Sequence, residues 1–377
     1  MNFNYSEEQL ALQETLRRFI AKDCPFEQRR ALAKSADGFS RAAWKAFADF
    51  GILALPFPEE FGGLDEHGGT AVDTLLVMDI LGRGLALEPY VSTVILCGGL
   101  LRDVGSPAQK AELLPAIAGG ELLLALAHFE PGARYEVARV AATATAQGSD
   151  WRLDGVKAVV LAAPSADKLL VSARTGRGLS LFLVDAGAPG LTLRPYPTQD
   201  GARAADIRLA GVNVGADALI GSEGAALPAI ERALDQANAA LCAEAVGIMS
   251  ALNEITLEYL KTRRQFGAPI GKFQALQHRM ADMVIATEQA RSMATLAAVH
   301  AGSADAAERN RSVAAARAYI GAQARFVGQQ AVQLHGGMGV VDELKVGHYF
   351  KRLTMIGLTF GDTDYHLGRF SDTLLAG

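Results

Sequence analysis

Cysteine is scarce in this chain: Cys24, Cys97 and Cys242 are the only three in 377 residues. They lie far apart with no C-x-x-C pair, so neither a zinc cluster nor a disulfide framework is expected, and a reducing cytosol fits. An excess of positive charge is missing as well. The balance is −5, with no stripe of lysine and arginine to neutralise phosphates, which argues against a nucleic-acid binder. Long apolar runs are also lacking: residues 75–87 are interrupted by Asp79 and Arg83 and fall short of the ~20 residues a bilayer span needs. The first eight residues, Met-Asn-Phe-Asn-Tyr-Ser-Glu-Glu, have no basic segment followed by an apolar one, so no secretory signal is expected. Together these absences predict a soluble, cytoplasmic protein without a metal site, a membrane segment or a nucleic-acid partner.

What is present is enough apolar residue, half of the chain, to build two or three cores. Ser6 and Gln9 have the spacing of a capping box, and Leu10, Leu12, Leu16, Phe19 and Ile20 recur on one side of the helix it would open. Further helices are predicted at 41–50, 69–85, 89–104 and 107–118, separated by turns such as Pro-Phe-Pro-Glu-Glu-Phe-Gly-Gly at 56–63. From Glu121 the texture changes to short β-branched or alternating runs at 122–128, 138–145, 151–160, 168–173, 179–184, 191–194 and 205–209. Turn signals at Gly148-Ser-Asp150 and Asp154-Gly155 predict a compact antiparallel barrel or sandwich. After Leu227 helical periodicity returns at 228–259, 274–301, 305–334 and in a shorter stretch after Thr363. The expected fold class is therefore α+β: an α-helical domain (1–120), a small antiparallel β domain (121–226) and a C-terminal four-helix bundle (227–377).

The stretch from Lys261 to His278 breaks the pattern between two long helices. Gly267, Pro269 and Gly271 stop the helix and fix a corner that presents Arg263, Arg264, Gln265 and Phe266. It is not a phosphate loop of the nucleotide-triphosphatase kind, because Gly267 and Gly271 enclose three residues rather than four and Phe273 stands where Ser or Thr would hold a metal. A second motif, Gln333-Leu-His-Gly-Gly337, closes another helix.

Arg-x-x-Phe-Gly at Arg263–Gly267, Gln274 and Gln-Leu-His-Gly-Gly together resemble the acyl-CoA dehydrogenase family of flavoproteins. The likeness spans the chain and includes Phe129-Glu130-Pro131 in the middle region and Phe360-Gly361-Asp362-Thr363 before the last helix. It implies FAD as cofactor, an acyl-CoA thioester as substrate and an electron-transfer flavoprotein as acceptor. It also implies that Arg263, Phe266, Gln274, Gln333, Gly336 and Gly337 reach the FAD of a neighbouring protomer. Guanidinium groups suit a pyrophosphate, and a double glycine lets backbone N–H groups approach it. Thr363 is a further cofactor contact by the same likeness.

The family's reaction needs a carboxylate near the substrate's α carbon, in a dry pocket that raises its pKa. In the family pattern that carboxylate is a Glu in the turn before the last helix, and Gly361 holds its place here. The alternative family position, on the first bundle helix, is Ala237. Asp362 lies one residue beyond the first place and is the remaining candidate base, with a helix cap as its other reading. Glu244 lies about two turns, ~10 Å, past Ala237 and reads as a polar contact in the bundle. The ring-facing side departs too: Phe129, Val159 and Leu161 replace polar or aromatic residues, leaving His128 as a possible polar partner of the ring. Asp235 falls where the family touches the pantetheine, Asn238 replaces an arginine, and Arg134 is in place to meet a CoA phosphate.

This pattern resembles the small subunit of pimeloyl-CoA dehydrogenase and other two-gene enzymes, in which a degenerate protomer completes the FAD site of a partner. A self-sufficient homo-oligomer using Asp362 is the alternative, and another flavin reaction on the same fold, such as a hydroxylase or nitroalkane oxidase, is a third.

Overall fold

The computed structural model describes residues 5–63 and 71–375. In chain order its elements are α1 (Glu7–Asp23), α2 (Phe26–Leu32), α3 (Arg41–Asp49), α4 (Ala71–Gly84), α5 (Gly99–Val104), α6 (Pro107–Ala118), β1 (Leu124–Ala127), β2 (Thr143–Gln147), β3 (Asp150–Leu161), β4 (Lys168–Thr175), β5 (Gly178–Asp185), β6 (Leu191–Pro197), β7 (Arg203–Val214) and β8 (Leu219–Ile220). There follow α7 (Ala226–Thr262), β9 (Arg264–Gln265), β10 (Ala268–Pro269), α8 (Gln274–Ala301), α9 (Ala306–His335), α10 (Lys345–Ile356) and α11 (Thr363–Leu375). The expected α+β order of helices, sheet and helices holds. Tertiary contacts gather these elements into two units: a helical unit (Met1–Arg29, Ala71–Ala86, Asn238–Gly377) and a sheet unit (Arg30–Thr70, Leu87–Ala237).

In the sheet unit, Ser106 and Gln109 cap α6 reciprocally and Pro107 occupies its first turn, where a missing N–H costs nothing. The predicted helix at 89–104 is not uniform: Val91–Gly98 is a wider, π-helical segment that leads into α5. The Thr93 hydroxyl donates to the Leu124 carbonyl (3.0 Å) and accepts from the Leu124 N–H (3.2 Å), tying this segment to β1. Strands β6-β7-β3-β2-β4-β5-β8 form one sheet, with β1 added beside β4. The sheet is mixed rather than wholly antiparallel, because β1 runs parallel to β4 and β2 meets β4 in parallel. Such pairing needs a long connection between the partners, and the whole β2–β3 hairpin lies between β1 and β4. Of the predicted strand 138–145 only its end joins the sheet, at β2. The carbonyls of Ala138 and Val140 instead accept from the Arg174 guanidinium (2.7 Å each), and the N–H groups of Ala141 and Ala142 donate to Glu130.

In the helical unit the Ser6–Gln9 capping box forms as expected, and Leu16 is the residue of α1 that is fully buried, while Leu10 faces outward. Helices α4 and α7 cross with their backbones in contact. A Cβ on Gly82 would lie 2.3 Å from the Glu244 carbonyl oxygen, and one on Gly247 would lie 2.1 Å from that of Asp79, so each helix supplies a glycine at the crossing. Four helices were expected after Leu227, and α10 is an additional one. It is fastened by a part-buried bidentate pair in which Arg352 donates Nε to Glu244 Oε1 (2.6 Å) and Nη2 to Glu244 Oε2 (2.7 Å). Helix α7 is long and apolar enough to cross a bilayer by composition, but 83% of its most apolar stretch is buried within the protein, as in a core helix.

Candidate functional site

The corner after α7 is a two-residue hairpin. Arg264 pairs with Pro269 and Gln265 with Ala268, leaving Phe266 (φ 51°) and Gly267 (φ 78°) at the tip. Both tip residues take the left-handed conformation that such a tight turn requires. Glycine adopts it freely, whereas the phenylalanine is held there at a conformational cost. Phe266 is nevertheless 91% exposed, with its ring edge-on to Phe273 at 6.1 Å. The Ile270 N–H donates to the Arg263 carbonyl (2.8 Å) and Arg264 Nη2 to the Gly267 carbonyl (3.2 Å), so the corner is internally braced. The Arg263 side chain is exposed and has no hydrogen-bond partner among the described residues; Gln274, the first residue of α8, is exposed as well.

The second motif lies next to the first. Helix α9 ends at His335, where Gly336 (φ 60°) turns the chain and donates its N–H to the Gln333 carbonyl. The His335 ring is buried, bonded through Nδ1 to the Ala331 carbonyl (2.8 Å) and stacked on Tyr259 with ring centres 4.4 Å apart. Burial lowers the His335 pKa, so the ring is a neutral stacking partner. Tyr259 belongs to the last turn of α7, and its carbonyl accepts the Arg263 N–H at 2.8 Å. One tyrosine thus joins the arginine corner to the glycine pair. Nothing in the motif pattern pointed to Tyr259; its position four residues before Arg263, one helical turn, was the available signal. Gln333, Gly336 and Gly337 are exposed, and a Cβ on either glycine would meet no atom within 4 Å, so the space beside them is open.

The turn at Phe360–Thr363 is closed and tightly held. Phe360 (φ 57°) and Gly361 (φ 131°) both have positive φ. Asp362 accepts the Tyr365 N–H on Oδ1 (2.9 Å), which makes it a cap for α11. Thr363 opens α11 and faces α9, where a Cβ on Gly321 would lie 2.6 Å from its hydroxyl oxygen. Buried Arg317 of α9 donates Nη2 to the carbonyls of Ile356 (2.8 Å), Thr359 (2.8 Å) and Gly361 (3.0 Å). Glu244 offers no substitute carboxylate, since both of its oxygens are taken by Arg352, and Ala237 is fully buried.

On the sheet, a bulge between Lys157 and Val160 turns Val159 outward at φ 54°, leaving it 54% exposed. Its N–H donates to Asp206 Oδ1 (3.1 Å), and the Ala158 N–H donates to the Phe129 carbonyl (2.8 Å). With Phe129 and Leu161 half-buried, this edge is an apolar ledge whose backbone donors at 158 and 159 are already used. His128, expected as a polar partner at this edge, is turned inward and only 1% exposed. Its Nδ1 lies 2.9 Å from the Ser172 hydroxyl, and burial, reinforced by Lys157, lowers its pKa to about 4. Lys157 is fully buried and donates Nζ to Glu130 Oε1 (2.7 Å), the His128 carbonyl (3.1 Å) and Ser172 Oγ (3.1 Å). This Lys157–Glu130–Ser172 cluster was not singled out in the sequence, where a lysine within a strand reads as a solvent-facing residue. Asp235 is buried in α7, and Arg134 is exposed in a turn with φ 49°.

The corner and the ledge, which belong to different units, differ in what each offers the cofactor implied by the sequence motifs. The corner suits a pyrophosphate: a free guanidinium, exposed glutamine amides and an open double glycine. The ledge offers a polar ring no side-chain donor from Phe129, Val159 or Leu161.

The chain matches three family models in sequence order. These are acyl-CoA dehydrogenase, N-terminal domain, over residues 6–121, the middle domain over 125–212 and the C-terminal domain over 227–375. Acyl-CoA dehydrogenase FadE27 of Mycobacterium tuberculosis is 31% identical over 363 residues, which cover 93% of this chain and 92% of that one. A variant of the Tcur3481-Tcur3483 steroid ACAD superposes with a TM-score of 0.88 at 31% identity, covering 98% of both chains. The ChsE4-ChsE5 complex from Mycobacterium tuberculosis gives 0.88 at 28% identity, covering 100% of both.

Proposed function

This chain belongs to the acyl-CoA dehydrogenase family, and from that premise we propose that it is the base-lacking subunit of a heteromeric enzyme of that family. The family is FAD-dependent and dehydrogenates acyl-CoA thioesters. The observation that carries the proposal is the contrast within the helical unit between an intact, exposed corner at Arg263 and a closed turn whose family base position is Gly361, without a side chain. The nearest alternatives are committed elsewhere: Asp362 caps α11 and Glu244 is paired with Arg352. Two solved relatives of similar length are assemblies of two named chains, which supports the heteromeric reading. It also agrees with the likeness to the small subunit of pimeloyl-CoA dehydrogenase. The three stretches 1–120, 121–226 and 227–377 are, on this reading, the family's three domains.

When bound, FAD supplies the acceptor for the hydride leaving the substrate's β carbon. This chain's part is to hold the partner's cofactor. Arg263 neutralises the pyrophosphate, Gln274 and Gln333 donate amide hydrogens, and Gly336 and Gly337 let the backbone come close. Phe266 covers the adjoining apolar surface, and Thr363 is a further contact. Asp235 lies beside the pantetheine arm. Gly361 leaves no room for a large acyl group, because His366 and Tyr365 already fill the space beside it; a ring-bearing acyl chain is favoured by the likeness to a steroid ACAD. An electron-transfer flavoprotein would be the electron acceptor, and the subunits would assemble as a tetramer of two unlike pairs.

The test is the flavin content and acyl-CoA bleaching of the protein made alone and with a homologous, base-bearing partner. Colourless protein alone, and a yellow active complex with the partner that loses its flavin in Arg263→Gln, is the expected result. Near-stoichiometric FAD that bleaches with acyl-CoA in the protein alone would establish a self-sufficient homo-oligomer instead.

A further inference from the structure

We infer that His366 is a plug that keeps the turn at Gly361 free of any side chain, with Arg317 as the positioning residue that fixes the turn's backbone around it. The inference deepens the base-lacking reading and rests on it for its functional meaning, but its geometry stands by itself. A Cβ built on Gly361 would lie 2.4 Å from His366 Nε2, 2.9 Å from His366 Cδ2 and 2.5 Å from Tyr365 Cδ1. Non-bonded carbon and nitrogen atoms do not approach so closely, so one of the partners has to move. His366 has nowhere to go, being fully buried. The turn cannot easily move either, because Arg317 grips the carbonyls of Ile356, Thr359 and Gly361, and its Nε points at His366 Nε2 (3.5 Å). Gly361 also has φ 131°, a conformation that side chains other than hydrogen rarely adopt.

An imidazole at the family's base position invites the opposite idea, that His366 has taken over proton abstraction. The surroundings argue against it. Burial first, and then the Arg317 and Arg369 guanidinium groups, push the His366 pKa down to about 2, so the ring has no affinity for a proton at neutral pH. Its Nε2 also faces a guanidinium donor rather than open space. The ring therefore acts by volume. Loss of the base in this subunit is consequently not a single exchange at position 361: a carboxylate there needs the glycine and the histidine replaced and the half-buried Tyr365 ring moved aside.

A double-mutant cycle on the full chain tests this, using Gly361→Ala, His366→Ala and both together, read by thermal melting. Gly361→Ala is expected to lower the midpoint by roughly 5 °C or more, and by less than half as much when His366 is already alanine. The strain from positive φ is common to both backgrounds and cancels. Equal losses in the two backgrounds would overturn the plug. If Gly361→Ala is too unstable to purify, soluble yield replaces the melt, and a double variant as insoluble as the single would likewise overturn it. Imidazole NMR separates plug from base: the His366 resonance should not titrate between pH 5 and 8, and titration in that range would refute the assignment. Flavin bleaching of the protein alone would defeat the base-lacking reading while leaving the melting cycle interpretable.

Discussion

Lys157→Met offers a quantitative test of the buried cluster in the sheet. The ammonium group donates to Glu130, the His128 carbonyl and Ser172, and none of its side chain reaches solvent. Burial lowers its pKa from 10.5 to about 8, with the Glu130 carboxylate working in the other direction. A depression of that size corresponds to about 3 kcal/mol between the two protonation states. Methionine keeps the volume, leaves Glu130 with the Ala141 and Ala142 N–H groups alone, and strips a donor from Ser172. At neutral pH the loss expected for breaking such a pair is about 3–5 kcal/mol. Its pH dependence has a definite sign. Between about pH 8 and 10.5 the unfolded chain retains a proton on Lys157 that the folded chain has released, so wild-type stability rises with pH across that window. The variant lacks that rise, and the wild type's lead should widen there by about 3 kcal/mol. At the acid end the lead should shrink. The Glu130 pKa is lowered in the fold, net of a desolvation that raises it, by Lys157 and the two N–H groups, so that contribution fades as pH falls through its folded pKa. Both tryptophans, Trp44 and Trp151, lie in the sheet unit, so urea unfolding followed by fluorescence reports on the relevant core. A lead that stays flat or narrows from pH 8 to 10.5 would refute the claim that burial depresses Lys157.

Two further substitutions separate structural from chemical roles. Arg352→Leu strands a Glu244 carboxylate that is only 4% exposed and should cost about 3–5 kcal/mol by far-ultraviolet circular dichroism in urea, whereas Glu244→Leu with Arg352→Leu should recover most of it. A loss below about 1 kcal/mol in the single variant would show that the bridge contributes little. Asp362→Ala should cost about 1 kcal/mol through the lost cap of α11 and leave turnover of the assembled enzyme intact; abolished turnover with flavin retained would make Asp362 the base.

How much of this was legible in the sequence depended on how local the cause was. The corner at Gly267 and the capping box at Ser6 arise from residues within four positions of one another, and Gly, Pro and Ser announce them. That Phe266 would take a left-handed conformation was not legible, because the tip of the turn could have fallen at another residue. The parallel partnership of β1 with β4 joins residues more than forty apart, and no alternation pattern records which strands will meet. His128 was read as a polar partner of the flavin ring, because its depth in the fold was equally hidden. Its inward orientation follows from Ser172 and Lys157, on two other strands, and from the bulge that shifts the register of β3. At the turn, the missing carboxylate at 361 was plain from the motif, but the reason a replacement cannot be fitted there lies in His366 and Arg317, visible only once α9 and α11 are packed.

Helix α9 links these observations. Arg317 and Gln333 are sixteen positions apart on it, about 24 Å along its axis. At that separation, with no shared side-chain partner, perturbations at the two places are expected to act independently. The turn can therefore be filled by a histidine ring without disturbing the Tyr259–His335 stack that holds the corner in place. An exposed arginine, an exposed phenylalanine and two unobstructed glycines in the same unit as a filled turn are what the proposed role, a subunit working on its partner's cofactor, would require.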